Sequence, residues 1–219
     1  MNYLILSKTY SELPFCEKEI LRYAGCNDKD EQMSAILREC VSEAKDKLVY
    51  KVCYCEFEVK TEDNTCDFNV FSLQSEKLAL NLKDCKKVIL FAATVGVEID
   101  RLISKYGRLS PAKALVFQAI GAERIEALCD VFCADIEREY NTALKPRFSP
   151  GYADLPLDAQ KDIFAVLAPE RRIGLTLSSS LLMSPSKSVT AFLGLGGNKK
   201  HFSNKCSACN KNNCIFRGK

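Results

Sequence analysis

The chain has no run approaching the roughly 18 consecutive apolar residues that a membrane-spanning helix requires, so no span is expected. Its first residues, MNYLILSKTY, lack the basic start and apolar stretch of a secretory signal. Phosphate-binding signatures are missing too. There is no GxxxxGK[ST] loop and no GxGxxG following a strand pattern, which speaks against the two commonest sequence routes to a nucleoside phosphate. Histidine is almost absent: His201 is the single one, and no partner for base catalysis accompanies it. No internal repeat and no low-complexity tract is visible.

Cysteine is abundant, with 12 residues. Most lie inside apolar patterns of a chain without an export signal, which reads as buried thiols in a reducing cytosol rather than a disulfide framework. A cytoplasmic location follows from that reading. The 219 residues, 47% of them hydrophobic, suffice for one well-buried core with at most a small appendage. The net charge of +3 is unevenly spread: from Asn198 onward there are six basic residues and no acid. A basic tail meets nucleic acid, an acidic partner or a negatively charged metal cluster, or simply aids solubility. No aromatic platform or recognised binding motif supports a nucleic-acid role.

The periodicities predict helices over 12–23 and 30–47, broken near Gly25 and Asn27. In the second, Met33, Ile36, Leu37, Cys40, Val41 and Ala44 share a face. The stretch 48–59 (LVYKVCYCEFEV) reads as a strand, joined by the TEDNT turn to a second strand at 66–71 as a hairpin. The run 87–93 (KVILFAA) suits a strand buried on both faces, ending in a turn at Thr94, Gly96 and Glu98. Ser110-Pro111 is a strong helix start. Unbroken to Tyr140, that helix would be about 45 Å long. Gly121-Ala122 marks a thin spot on it, open to another backbone or a ligand. Cys129 and Cys133, four apart on one face, read as packing, since two cysteines are too few to hold a metal. A short helix over 157–167 ends at Pro169, and strands are expected at 174–178 and 188–193. Helices and strands do not alternate regularly. The fold class is therefore α+β, with a curved, mostly antiparallel or mixed sheet flanked by helices and one long central helix. The expected division is a domain over 1–197 and a basic, cysteine-rich tail over 198–219.

Two places can carry chemistry. The first is Arg147 to Leu157, RFSPGYADLPL. Proline fixes a dihedral and removes a donor, and glycine admits conformations that other residues avoid. The result is a stiff, irregular loop carrying Arg147 and Tyr152. An arginine fork matches a carboxylate, and a tyrosine face suits an adenine or a sulfonium. Pro150-Gly151 would leave backbone groups open to a ligand at close range. The competing reading is structural: Arg147 pairs with an acid and Tyr152 plugs the core. The second place is Cys206, Cys209 and Cys214, a CxxCxxxxC pattern in a segment too polar to make a core. Three soft thiolates suit zinc or an iron–sulfur cluster, with His201 or another ligand completing the set. Free or redox-labile thiols are the alternative.

RFSPGYADLPLDAQKDIF, followed by GLTLSSSLLMSPSKSVTAFLG, resembles the activation domain of cobalamin-dependent methionine synthase, and more closely its free-standing relatives. The Arg147, Gly151, Tyr152 spacing carries the likeness, as do Met183, Pro185, Ser188 and Val189. FAATVGVEIDRLI and AIGAERIEALCD fit upstream, so it covers about Val88 to Gly196. The resemblance implies a site for S-adenosylmethionine in a shallow groove at the edge of a curved sheet. It implies that Arg147 takes the ligand carboxylate, Ser149 and Gly151 offer backbone contacts, Tyr152 packs on the ligand, and Glu126 is the acid near the amino group or sulfonium. The partner it implies is a corrinoid-bearing methionine synthase core, or another corrinoid protein, with cobalamin on that partner. A flavodoxin- or ferredoxin-type donor would supply the electron that returns cob(II)alamin to service. No residue of this chain needs to be a general acid or nucleophile. The sequence contains no cobalamin-binding DxHxxG segment, so the chain is expected to act in trans and contribute to a partner's methyltransferase activity. The alternative function is a small zinc or iron–sulfur redox or interaction protein built on the tail cysteines.

Overall fold

The computed structural model describes residues 3–26 and 30–196. In chain order the elements are β1 (Leu6–Tyr10), α1 (Glu17–Ala24), α2 (Glu31–Ala44), β2 (Tyr50–Glu58), β3 (Lys60–Glu62), β4 (Thr65–Asp67) and β5 (Ser72–Gln74). Next come α3 (Glu76–Asn81), β6 (Lys87–Thr94), α4 (Glu98–Leu109), α5 (Pro111–Tyr140), α6 (Ala159–Leu167), α7 (Pro169–Ile173), β7 (Thr176–Leu177), β8 (Met183–Ser184) and β9 (Ser188–Leu195).

The central sheet has the order β1-β2-β6-β9, and every pairing in it is antiparallel. Side chains alternate across a strand, and here each face meets its own core. On one face Val52, Tyr54, Ile89, Phe91 and Leu193 pack with residues of α1, α2, α4 and α5. On the opposite face Cys53, Cys55, Val88, Leu90, Ala92 and Phe192 pack with residues of α3, α6 and α7. An antiparallel sheet covered on both sides explains why β6 is a continuous apolar run with its last seven residues buried. The α+β expectation, with antiparallel pairing, flanking helices and one long helix, is what the structure has.

That long helix, α5, runs 30 residues without a break. α1, α2 and α4 pack against it, and Phe132 sets its ring 4.9 Å from Phe91 and 5.2 Å from Tyr54 on the sheet. Pro111 occupies its first turn as expected, but the Ser110 side chain makes no capping bond. Ser110 is shared between two helices instead: its N–H donates to the Tyr106 carbonyl at the end of α4 (2.8 Å), and its own carbonyl accepts from Ala114 in α5 (3.0 Å). At Gly121 the close neighbour is a side chain. A Cβ there would lie 2.7 Å from Lys187 Cγ and 3.0 Å from Ile99 Cγ1.

Several expectations are corrected. β1 is a strand the periodicity did not reveal, because its side chains are mostly exposed at the sheet edge. The first helix starts at Glu17 rather than near residue 12. The carbonyls of Leu13 and Pro14 accept from the Arg124 guanidinium, each at 2.7 Å, and are thereby drawn away from a helical turn. The stretch 48–59 does not pair with 66–71: β2 lies between β1 and β6. The TEDNT turn closes a separate β3–β4 hairpin, with Asp63 and Asn64 both at positive φ (45° and 65°), the geometry that suits the twist of a two-residue turn. The strand expected at 174–178 is present but only two residues long, as β7, and it pairs with β8. The expected domain boundary near 197 falls where the described residues end.

Candidate functional site

After α5 the chain runs back along the free edge of β9. Leu144 bridges Leu195 and Phe148 bridges Phe192. Lys145 N–H donates to Gly194 O (2.9 Å), and Phe148 and Phe192 exchange two backbone bonds of 3.0 and 2.8 Å. Successive residues in such a segment point to opposite faces. Phe148 enters the core beneath the sheet, and Arg147 turns toward α5. There its guanidinium lies 2.8 Å from Glu126 Oε2 and 2.8 Å from Asp130 Oδ1.

The electrostatics of this cluster are mixed. The Arg147 side chain is only 16% exposed, whereas those of Glu126 and Asp130 are 38% and 63% exposed. Burial alone would lower the Arg147 pKa. Cys129, Cys133, Asp130 and Glu126 around it outweigh that effect and raise it above the ordinary arginine value. Asp130 was not singled out from the sequence. Its position one helical turn after Glu126 was the available signal, since residues four apart share a face.

The loop then folds tightly. Tyr152 N–H donates to Ser149 O (3.1 Å), Gly151 N–H to Leu155 O (2.9 Å) and Leu155 N–H to Tyr152 O (3.1 Å). Gly151 sits at φ 82°, a region that favours glycine. Its N–H is engaged within the loop, so a contact to a ligand from Gly151 would use its carbonyl. Tyr152 is 56% exposed and meets Phe148 edge-on at 5.4 Å. Of the sequence-predicted residues, the structure therefore brings Arg147 and Glu126 together. It places Tyr152 with Phe148, whose side chain enters the core on the face opposite to that on which Arg147 meets α5.

Other candidates resolve differently. No disulfide joins the nine described cysteines. Burial pushes the Cys53 thiol up to about 12 and those of Cys55 and Cys66 up to about 11, so they stay protonated near neutral pH. Burial raises Cys129 as well, consistent with packing. Among the described residues no group of three or more His, Cys, Asp or Glu could hold a metal. Cys206, Cys209, Cys214 and His201 lie outside the described residues. No described helix is long and apolar enough to cross a membrane.

The two-sided antiparallel sheet, with a charged cluster and an exposed tyrosine on the segment along its edge, makes an open-sheet α+β fold. That fold is shared with the crystal structure of the MetH reactivation domain bound to AdoHcy, at 14% identity and a TM-score of 0.65, over 90% of this chain and 80% of that one. The family model for the vitamin B12 dependent methionine synthase activation domain matches residues 75–214, and the chain belongs to that family. No curated protein matches its sequence.

Proposed function

We propose that this chain binds S-adenosylmethionine at the edge of its central sheet and supports reductive remethylation of cob(II)alamin on a separate methionine synthase core or related corrinoid protein. The observation that carries this reading is one guanidinium held between two partly exposed carboxylates. An α-amino acid presents a carboxylate and an ammonium one carbon apart, and that zwitterion matches Arg147 beside Glu126 and Asp130. A simple acid would be repelled by the carboxylates, and a simple amine by the arginine. Tyr152, exposed in the same loop, offers a face for the adenine or the sulfonium. Ser149 and Gly151 would contribute backbone contacts, Gly151 through its carbonyl.

Cobalamin on the partner would supply the metal centre that accepts the electron and the methyl group, the electron coming from a flavodoxin- or ferredoxin-type donor. This chain's residues bind and orient the methyl donor and lower the entropic cost of bringing it to the centre. Cys206, Cys209 and Cys214 are assigned as ligands of zinc or an iron–sulfur cluster, supported by their spacing and soft thiolate chemistry.

Calorimetric titration with S-adenosylmethionine tests the seat. Arg147→Ala should weaken binding by more than about 1.5 kcal/mol, the scale of a hydrogen bond to a charged group. Wild-type affinity in that variant overturns the assignment. Repeating the titration with a cob(II)alamin-loaded synthase core and a reductant, followed by visible absorption, tests action in trans.

A further inference from the structure

We propose that α3 is a two-ended brace for the loop carrying Arg147 and Tyr152, with Asp154 and Asn81 as its positioning residues. The proposal rests on the reading of that loop as the ligand seat.

The N-terminal end of the brace is a carboxylate supplied from the loop. Asp154 accepts from Ser75 Oγ at 2.6 Å and from the Glu76 N–H at 2.7 Å. It also accepts from the Lys77 N–H, at 3.2 and 3.3 Å to its two oxygens. These backbone donors belong to the first turn of α3, where no intrahelical acceptor exists and a negative charge is favoured. Ser75 is buried, and its Oγ also accepts from the Leu78 N–H at 3.0 Å, so the hydroxyl links the loop to the helix interior. Those bonds also hold the Asp154 carboxyl below its usual pKa, Ser75 contributing most. At the other end, Asn81 Nδ2 donates to the carbonyl of Pro146 at 3.2 Å, immediately before Arg147.

The helix between these contacts is itself anchored. Leu78 and Leu82 are fully buried in the core beneath the sheet. The loop has fewer anchors of its own. Phe148 and Leu155 fix its base, and Ala153 holds a left-handed φ of 53° that a non-glycine residue disfavours. Asp154 lies between Ala153 and Leu155 and ties that turn to a rigid element. Asn81 ties the backbone that aims Arg147. Together they set the separation of the guanidinium and the phenol ring, although neither needs to touch a ligand.

The test uses the full chain and three variants. Asp154→Ala and Asn81→Ala each remove one end of the brace. Asp30→Ala removes the side-chain cap of α2, which accepts from the Met33 N–H at 3.0 Å, and serves as a control for lost stability elsewhere. Hydrogen exchange of residues 148–156 is measured without ligand, and S-adenosylmethionine affinity by calorimetry. Asp154→Ala should speed exchange in that segment and raise Kd, each by about tenfold, the scale expected when a positioned group loses its support. Asn81→Ala should do the same more weakly, and Asp30→Ala should change neither while lowering Tm. Unchanged exchange in both loop variants overturns the brace. Faster exchange with wild-type affinity overturns the positioning role. Should the wild-type chain itself bind no S-adenosylmethionine, the ligand reading fails and exchange alone decides the brace.

Discussion

Arg124 and Arg147 have opposite fates. Arg124 is fully buried, bonded to Glu123 and to the carbonyls of Leu13 and Pro14, and its guanidinium lies 4.2 Å from the Phe15 ring centroid. It fastens the N-terminal segment to α5. Arg147 instead pairs with acids that reach solvent. Removing one partner from a buried pair leaves an uncompensated charge, so Glu123→Ala should cost about 3–5 kcal/mol in urea unfolding. Lys187 gives a pH-dependent counterpart. Burial lowers its pKa, and Asp100 only partly offsets this. The folded-state pKa then lies below the unfolded one, so charged Lys187 opposes folding below the folded pKa, and the penalty vanishes above the unfolded value of about 10.4. Lys187→Met keeps an unbranched stem over Gly121. It should therefore raise stability at pH 7. That gain over wild type should shrink as the pH rises through the folded pKa toward the unfolded one, as paired unfolding curves would show.

At the scale of elements, the long apolar and amphipathic stretches were the legible ones. β6, α2 and α5 appear where the sequence placed them, β6 because a strand buried on both faces is apolar throughout, α2 and α5 because each buries a face that repeats at the helical period. β1 and β8 were not legible, because short, exposed strands carry almost no burial pattern. The thin spot at Gly121 was visible as a glycine, but its occupant was not. The Lys187 stem and Ile99 of α4 fill the space where a Cβ would stand. Gly121→Val would drive a branched side chain against the buried Ile99, and such overpacking typically costs about 1–3 kcal/mol. Thermal unfolding should register this as a Tm drop of roughly 2–4 °C per kcal/mol for a chain of this size.

At the scale of the whole molecule, the proposed ligand seat and the proposed tail metal site draw on different residues. The chain purified without oxygen should carry about one metal site per molecule, zinc or iron, if three thiolates form a ligand set. Elemental analysis of Cys206→Ser should show that metal lost with S-adenosylmethionine affinity unchanged, because the proposed seat draws on Glu126, Asp130 and residues 147–152. Metal content equal to wild type in that variant would remove the tail site. The amino-acid sequence alone determined the α+β class, the long helix, the buried strand and the stiff Arg147–Tyr152 loop. All of these arise from backbone sterics and burial patterns repeating within a few residues. Only tertiary structure decided that Asp130 joins Glu126 on Arg147, that Arg124 captures the carbonyls of Leu13 and Pro14, and that β2 lies between β1 and β6. Those pairings join residues distant in sequence, and their partners are chosen by packing and chain closure, which no local pattern records.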